Sequence, residues 1–306
     1  MIKLRQILLV GLVALSSLLL SGCHFAILDP KGIIAASEKK IFLDSIYLML
    51  IVVVPVVIMS FVIPWRYRAS NTKATYRPDW AHSTIMEVIW WTIPCIIIVI
   101  LSVWTWIYTH SLDPYRPLSE DKNTIMVEAI AMDWKWVFIY PEQHVATVNY
   151  MEIPVNKPVR IFISSDAPMN SLEIPRLAGQ IYAMTGMQTK LNLMATSTGV
   201  YTGLSTNFSG NGFSGMNFKV HVVKESEFDA WAKQIRQSSA KVLDVNAYNA
   251  LTKPSENNPV EYFSNPVRGL FTMSVVKYMG PMPGMVLGYA STEQGREADK
   301  KAKAAM

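Results

Sequence analysis

Few side chains in this chain of 306 residues have chemistry to offer. Transition metals want thiolate or imidazole ligands converging from fixed spacings. The two cysteines, Cys23 and Cys95, lie at the end of one apolar run and inside another. The histidines (His24, His82, His110, His144 and His221) are scattered over different segments without ligand spacing. No disulfide framework, zinc site or haem site follows from them. The stretch most shaped like a site is Ser205-Thr206-Asn207-Phe208-Ser209-Gly210-Asn211-Gly212-Phe213-Ser214-Gly215-Met216. It is a glycine-punctuated loop ahead of an alternating strand, Asn217 to Val223. Its polar atoms are hydroxyls and amides. Met216 adds one thioether, a weak ligand unable to hold a metal ion unaided; such a methionine reads as core filler. Glu87 stands at the mouth of an apolar run, where a carboxylate is costly unless solvated or paired. By itself it reads as an interfacial, water-facing glutamate.

The elements that must position these residues divide between membrane and water. Hydrophobic residues make up 51% and charged residues 17% of the chain. The mean hydropathy, +0.22, is that of a protein with a few membrane spans. The formal charge of +5 is spread along the chain and its ends, which argues against nucleic acid. Lys3 and Arg5 precede an apolar run from Ile7 to Leu20, the pattern of a secretory signal. About 14 residues are too few to span a bilayer. The run closes on Leu20-Ser21-Gly22-Cys23, which resembles the lipobox of bacterial lipoproteins. That resemblance implies cleavage before Cys23 and a diacylglycerol on its sulfur; the alternative is a membrane helix ending in a chance cysteine.

Two longer runs, Ser45 to Ile63 and Val88 to Tyr108, reach roughly 28 and 31 Å as helices, close to the hydrocarbon thickness. Pro55 and Pro94 lie inside them as kinks. The link between them carries Arg66, Arg68, Lys73 and Arg77 against Asp79. The positive-inside bias puts that link in the cytoplasm and everything after His110 outside it. Trp65, Trp80, Trp90 and Trp91 near one boundary, and Trp104, Trp106 and Tyr108 near the other, form interface belts.

Beyond Asp113-Pro114-Tyr115-Arg116-Pro117 the pattern becomes β. The expected strands are Thr124–Ala131, Trp134–Tyr140, Thr147–Ile153, Pro158–Ser164, Thr189–Ala195, Val200–Ser205 and Asn217–Val223. Val159, Ile161 and Ile163 share one face, as do Phe218, Val220 and Val222. Short alternating strands between glycine and proline turns specify a two-sheet sandwich or barrel. Ser226-Glu227-Phe228-Asp229 reads as a capping box opening a helix with Phe228, Trp231, Ala232 and Ile235 on one face. Asp244 caps a second helix that buries Val245, Tyr248 and Leu251. Asn265-Pro266 opens a third, through about Tyr278. The expected division is 1–22 signal, 23–44 periplasmic segment, 45–63 first span, 64–86 cytoplasmic link, 87–109 second span, 110–122 linker, 123–224 barrel, 225–290 helical region and 291–306 mobile tail.

The glycine loop resembles the metal loop of subunit II of the haem–copper respiratory oxidases. In that family's cytochrome c oxidases it reads Cys-x-Glu-x-Cys-x-x-x-His-x-x-Met and binds two coppers. Here Ser205, Asn207, Ser209, Phe213 and Met216 take those places, and Met216 alone matches. A further ligand histidine sits in a context similar to Asp166-Ala167-Pro168-Met169-Asn170-Ser171; Asn170 stands there. The resemblance implies a cupredoxin-type Greek-key barrel on a two-helix hairpin, with the metal loop emptied. Met169-Asn170-Ser171, Gln180-Ile181-Tyr182-Ala183-Met184, Gly212-Phe213-Ser214-Gly215-Met216 and Glu261-Tyr262-Phe263-Ser264-Asn265 resemble the cytochrome bo-type ubiquinol oxidases. Their complexes oxidise ubiquinol, reduce oxygen to water and pump protons. The resemblance implies that haems and copper belong to subunit I, that this chain binds no metal or other cofactor, and that its partners are subunit I, the remaining subunits and membrane lipid. It also implies a bacterial inner-membrane location with the barrel periplasmic. His82-x-x-x-x-Glu87-x-x-Trp90-x-x-x-Pro94 is similar to the family's entrance to a proton path. Ala131-Met132-Asp133-Trp134-Lys135-Trp136 matches an aromatic cluster that relatives place between copper and the electron donor; without copper, packing and contact with subunit I are expected of it. A menaquinol oxidase of the same superfamily, or a lipoprotein scaffold unrelated to respiration, are the alternatives.

Overall fold

The computed structural model describes residues 25–75, 79–118, 124–238 and 241–279. The signal run, Cys23, His24, Arg77 and the tail from 291 lie outside the described residues. The chain forms two compact units, residues 37–113 and residues 1–36 with 114–306.

The first unit holds helix α1, Ile33–Arg66, from Ser37 onward, and helix α2, Thr84–Ser111. Both are long and apolar enough to cross a membrane. Helix α1 starts at Ile33, ahead of its apolar run, because Ala35, Ala36, Glu38, Lys39 and Lys40 are good helix formers with no glycine or proline among them. Pro55 and Pro94 are accommodated inside the helices. Along α2 only Ile97 is buried, so apolar side chains face outward on nearly every side, as suits lipid or partner helices rather than water.

The second unit is a two-sheet β domain with strands β1 Ile125–Met132, β2 Lys135–Tyr140, β3 Val145–Val148, β4 Tyr150–Pro154, β5 Val159–Ser165, β6 Asn170–Ile174, β7 Ala178–Ala183, β8 Thr189–Leu193, β9 Gly199–Ser205 and β10 Asn217–Val223. Helices α3, Glu225–Ser238, and α4, Val245–Leu251, follow, then strand β11, Glu261–Ser264, and helix α5, Leu270–Met279. One sheet runs β11-β3-β2-β1-β5-β8 and the other β4-β10-β9-β6-β7. β1 pairs antiparallel with β2 and parallel with β5. The main core lies between the sheets, with Trp136, Phe138, Ile161, Leu172, Phe218 and Val220 among its members. A second core lies on the outer face of the larger sheet, where Met126, Ile130, Val137 and Phe162 meet Tyr248, Phe263, Phe271 and Val275.

Several sequence expectations need correction. The single strand expected over Thr147–Ile153 is two strands in different sheets, broken at Asn149, which takes φ 54°. Asparagine tolerates that left-handed corner. β6, β7 and β11 carry no alternation strong enough to be read from sequence. α3 begins at Glu225, so Ser226 lies inside it; the reciprocal half of the cap is Glu227 Oε2 accepting from the Lys224 N–H at 3.1 Å. Asp244 does cap α4, accepting from the Ala247 N–H at 2.7 Å. Tyr248 is buried, but Val245 is exposed and Leu251 half-buried. The last helix starts at Leu270; Asn265 turns at φ 46° instead of opening it.

Residues ahead of α1 are stitched to the β domain. Lys31 N–H donates to Arg176 O at 2.7 Å, Thr196 N–H to Lys31 O at 2.7 Å, and Ile33 N–H to Met194 O at 3.2 Å. Asp29 pairs with Arg176 at 3.0 Å. A Cβ on Gly32 would lie 2.4 Å from Leu177 O, so only glycine permits this approach. The strap and Pro114, whose carbonyl accepts from Asn192, attach near the Leu193–Ala195 end of the strands. The glycine loop lies at the opposite end, where β9 finishes and β10 begins.

Candidate functional site

The glycine loop is closed at its neck by the Ser205 N–H donating to Met216 O at 3.1 Å. Inside that neck several of the residues singled out from the sequence meet one another. Ser205 and Asn170, both buried, are brought side by side by β9 and β6, and the serine hydroxyl donates to Asn170 Oδ1. The adjoining Ser171 and Thr206 hydroxyls bond at 2.7 Å. Asn207 Nδ2 donates to Met169 O at 2.8 Å. Met216 is 2% exposed and packs in the main core. Phe213 turns aside and meets Phe208 edge-on, 5.6 Å between ring centres. The Ser209 hydroxyl is buried without a hydrogen-bond partner among the described residues.

Copper needs thiolate and imidazole donors here. This set offers hydroxyls, amide oxygens, a phenyl ring and one thioether, and the best-placed hydroxyl and amide are already committed to each other. The residues therefore do not fit the copper that the family resemblance associates with this loop. Buried polar groups are costly if unpaired; mutual hydrogen bonds remove most of that cost.

The loop is held from outside by an aromatic clamp. Trp134 occupies the two-residue turn between β1 and β2 at φ 62°, a conformation that is strained for a bulky side chain. Its indole N–H donates to Ser209 O at 3.2 Å. A Cβ on Gly212 would lie 2.5 Å from the Trp134 ring and 2.8 Å from Glu256 Cγ. A Cβ on Gly215 would lie 2.6 Å from Asn257 Oδ1. Of these glycines only Gly210 has a left-handed φ, +112°. Gly212 and Gly215 are needed for close approach rather than for their turns. Next to Trp134, the fully buried Lys135 donates to Leu251 O and Lys253 O, both at 2.8 Å. Burial pulls its pKa down, against the pull of Asp133 and Glu261. The ammonium thus closes the C-terminal end of α4 and holds the 252–258 segment beside the loop. Asn149 Nδ2 adds a bond to Asn258 O at 3.0 Å.

Sequence reasoning missed a second polar centre. Asp166, buried just ahead of Asn170, accepts from the Tyr248 hydroxyl at 2.7 Å, Lys277 Nζ at 2.8 Å and the Tyr278 hydroxyl at 2.5 Å. Bonding to Asp166 raises the Lys277 pKa, and burial with the same bond raises that of Tyr248. No sequence signal marks it, because Lys277 and Tyr278 are 111 and 112 residues from Asp166 and only the fold brings them together. The membrane-side candidate, Glu87, sits in the first turn of α2, half-buried, with its N–H donating to Ser83 O at 2.9 Å. A helix N-terminus favours a carboxylate. His221 stacks on Tyr150 at 4.8 Å and is remote from the loop in its bonding. Among the described residues no group of His, Cys, Asp and Glu is arranged to hold a metal ion.

Two long apolar helices followed by a two-sheet β domain are the architecture of an oxidase subunit II. The family model "Cytochrome C oxidase subunit II, periplasmic domain" matches residues 97–223, and "COX Aromatic Rich Motif" matches residues 237–282. Cytochrome bo(3) ubiquinol oxidase subunit 2 of Pseudomonas putida is 49% identical over 285 residues, covering 93% of this chain and 89% of that protein. Ubiquinol oxidase subunit 2 of Acetobacter aceti is 49% identical over 269 residues, 87% of each. Among solved structures, the periplasmic domain of subunit II of cytochrome oxidase of Bradyrhizobium japonicum aligns at TM-score 0.35 and 22% identity, over 36% of this chain and 91% of that one. The chain belongs to the family of cytochrome bo(3) ubiquinol oxidase subunit 2. That membership sets aside an unrelated lipoprotein scaffold. The aromatic-rich motif is the segment that supplies α4, β11 and α5, the cover of the second core and the brace beside the loop.

Gly212→Ala is expected to push the Trp134 ring and Glu256 from the loop and destabilise the β domain by about 2 kcal/mol, as overpacking does. Thermal unfolding of the full chain in detergent, with hydrogen exchange over 205–216, checks it. Unchanged exchange would mean that the clamp does not hold the loop.

Proposed function

We propose that this chain is the subunit II of a proton-pumping ubiquinol oxidase and carries no redox centre of its own. The observation that carries the reading is the hydrogen-bonded pair Ser205–Asn170, standing where metal ligands would converge. A water-soluble electron donor needs an extramembrane electron port. Ubiquinol is lipid-soluble and can deliver electrons within the membrane, directly to the catalytic subunit. The barrel then serves as a cap and assembly element over subunit I, which holds the haems and copper. The outward apolar surfaces of α1 and α2 support partner helices or lipid around them. The exported N-terminus, the lipid on Cys23 and the basic link give a bacterial inner-membrane protein with its barrel on the periplasmic side. The half-buried position of Glu87 in the first turn of α2 supports a place at the entrance to a proton path of the complex.

Metal analysis of the purified complex tests the central reading. The expected outcome is copper only in the amount that the catalytic subunit accounts for, and none retained by this chain once separated. Two coppers travelling with this chain would overturn it. Glu87→Ala is expected to slow oxygen reduction several-fold, as loss of a proton-transfer group does, while haem content of the assembled complex stays unchanged. Turnover equal to the parent would remove Glu87 from the proton path. For the anchor, Cys23→Ser should abolish the lipid mass increment on the mature chain; identical masses for both would exclude lipidation.

A further inference from the structure

The larger sheet buries a carboxyl group that the reading above does not use. Strand alternation puts Glu128 on the same face of β1 as Met126 and Ile130, which pack in the second core with Leu270, Phe271 and Val275 of α5. Helix α5 lies against β1 and β5. Glu128 stands opposite Ile139 on β2 and Phe162 on β5, and is 7% exposed. The cations and hydroxyls on the surrounding elements are engaged elsewhere. Arg160 of β5 donates to Asn192 at 3.0 Å, and Lys190 of β8 lies over the Phe162 ring at 5.8 Å. Lys135 of β2 serves the Leu251 and Lys253 carbonyls. Lys277 and Tyr278 of α5, with Tyr248 of α4, serve Asp166. Burial alone, with no neighbouring charge, pushes the Glu128 carboxyl up to about 8.

We propose that Glu128 makes the seating of α5 on the barrel a protonation-dependent latch. As a neutral acid its carboxyl lies within the apolar interface. Ionised there it has no counter-charge among the described residues, and the charge is relieved when the helix lifts and water reaches it. The sign follows from the two states. Seated, the group titrates near 8; lifted, it returns toward its ordinary 4.5. Seating is therefore strongest in acid, weakens by up to about tenfold per pH unit between those values, and levels off above them. The Asp166 clasp acts at the far end of the same helix. Lifting α5 also withdraws the Lys277 and Tyr278 donors from Asp166, which leads directly into the Met169–Asn170 turn beneath the emptied loop.

Hydrogen exchange over 270–279 in the detergent-solubilised full chain tests the latch. Protection factors from about pH 5 to about pH 9, corrected for intrinsic exchange, should fall steadily to about pH 8 and then flatten. Glu128→Gln should stay protected and flat across the range. Glu128→Leu, which needs no polar partner, should do the same and serves if the amide variant fails to fold. Asp166→Asn should lower protection at every pH and leave the slope in place. Flat protection in the parent chain overturns the proposal, as does a slope that survives in Glu128→Leu. Loss of the slope in Asp166→Asn would also overturn it, assigning the titration to the clasp.

Discussion

The β domain rests on a strand that has no solvent face. From Met126 to Met132 every residue of β1 is buried, with Val127, Ala129 and Ala131 in the inter-sheet core and Met126, Ile130 and Met132 in the outer one. An antiparallel sandwich normally leaves its outer faces wet. Here the C-terminal elements cover one of them, so they are part of the fold and not an appendix to it. The same burial sets the terms for the charged residues of this sheet. Lys135 finds two carbonyls at the end of α4 and Asp166 finds three donors. Glu128 finds none among the described residues, and burial pushes its carboxyl up to about 8.

Several weak contacts hold the glycine loop in shape. The neck bond from Ser205 to Met216, the Ser205–Asn170 pair and the Trp134 indole over Gly212 together keep the loop compact. Trp134 endures a left-handed backbone to do so, at a cost of about 1–3 kcal/mol that the surrounding packing must offset. At Gly212 and Gly215 larger residues would collide with the clamp.

Other features run from local sequence to membrane attachment. Gly32 admits the strap to the Leu177 backbone, and the Asp29–Arg176 pair and three backbone bonds secure it. Both chain connections therefore join the barrel at one end of its strands, and the loop end is left to the C-terminal brace.

What the amino-acid sequence determined by itself was everything governed by local composition and spacing. The two apolar runs, the Asp244 cap, the alternation of β5 and β10 and the missing thiolates and imidazoles are properties of contiguous residues. Burial without alternation was not legible, which is why β6, β7 and β11 went unread and why Thr147–Ile153 passed for one strand. Only the tertiary structure decided that Ser205 and Asn170 bond, that Gly212 answers to Trp134, and that Glu128 and Asp166 lie under α5. Each of these joins segments far apart in the chain. Desolvation and close approach depend on what the fold brings to a point, and no stretch of sequence carries that information alone.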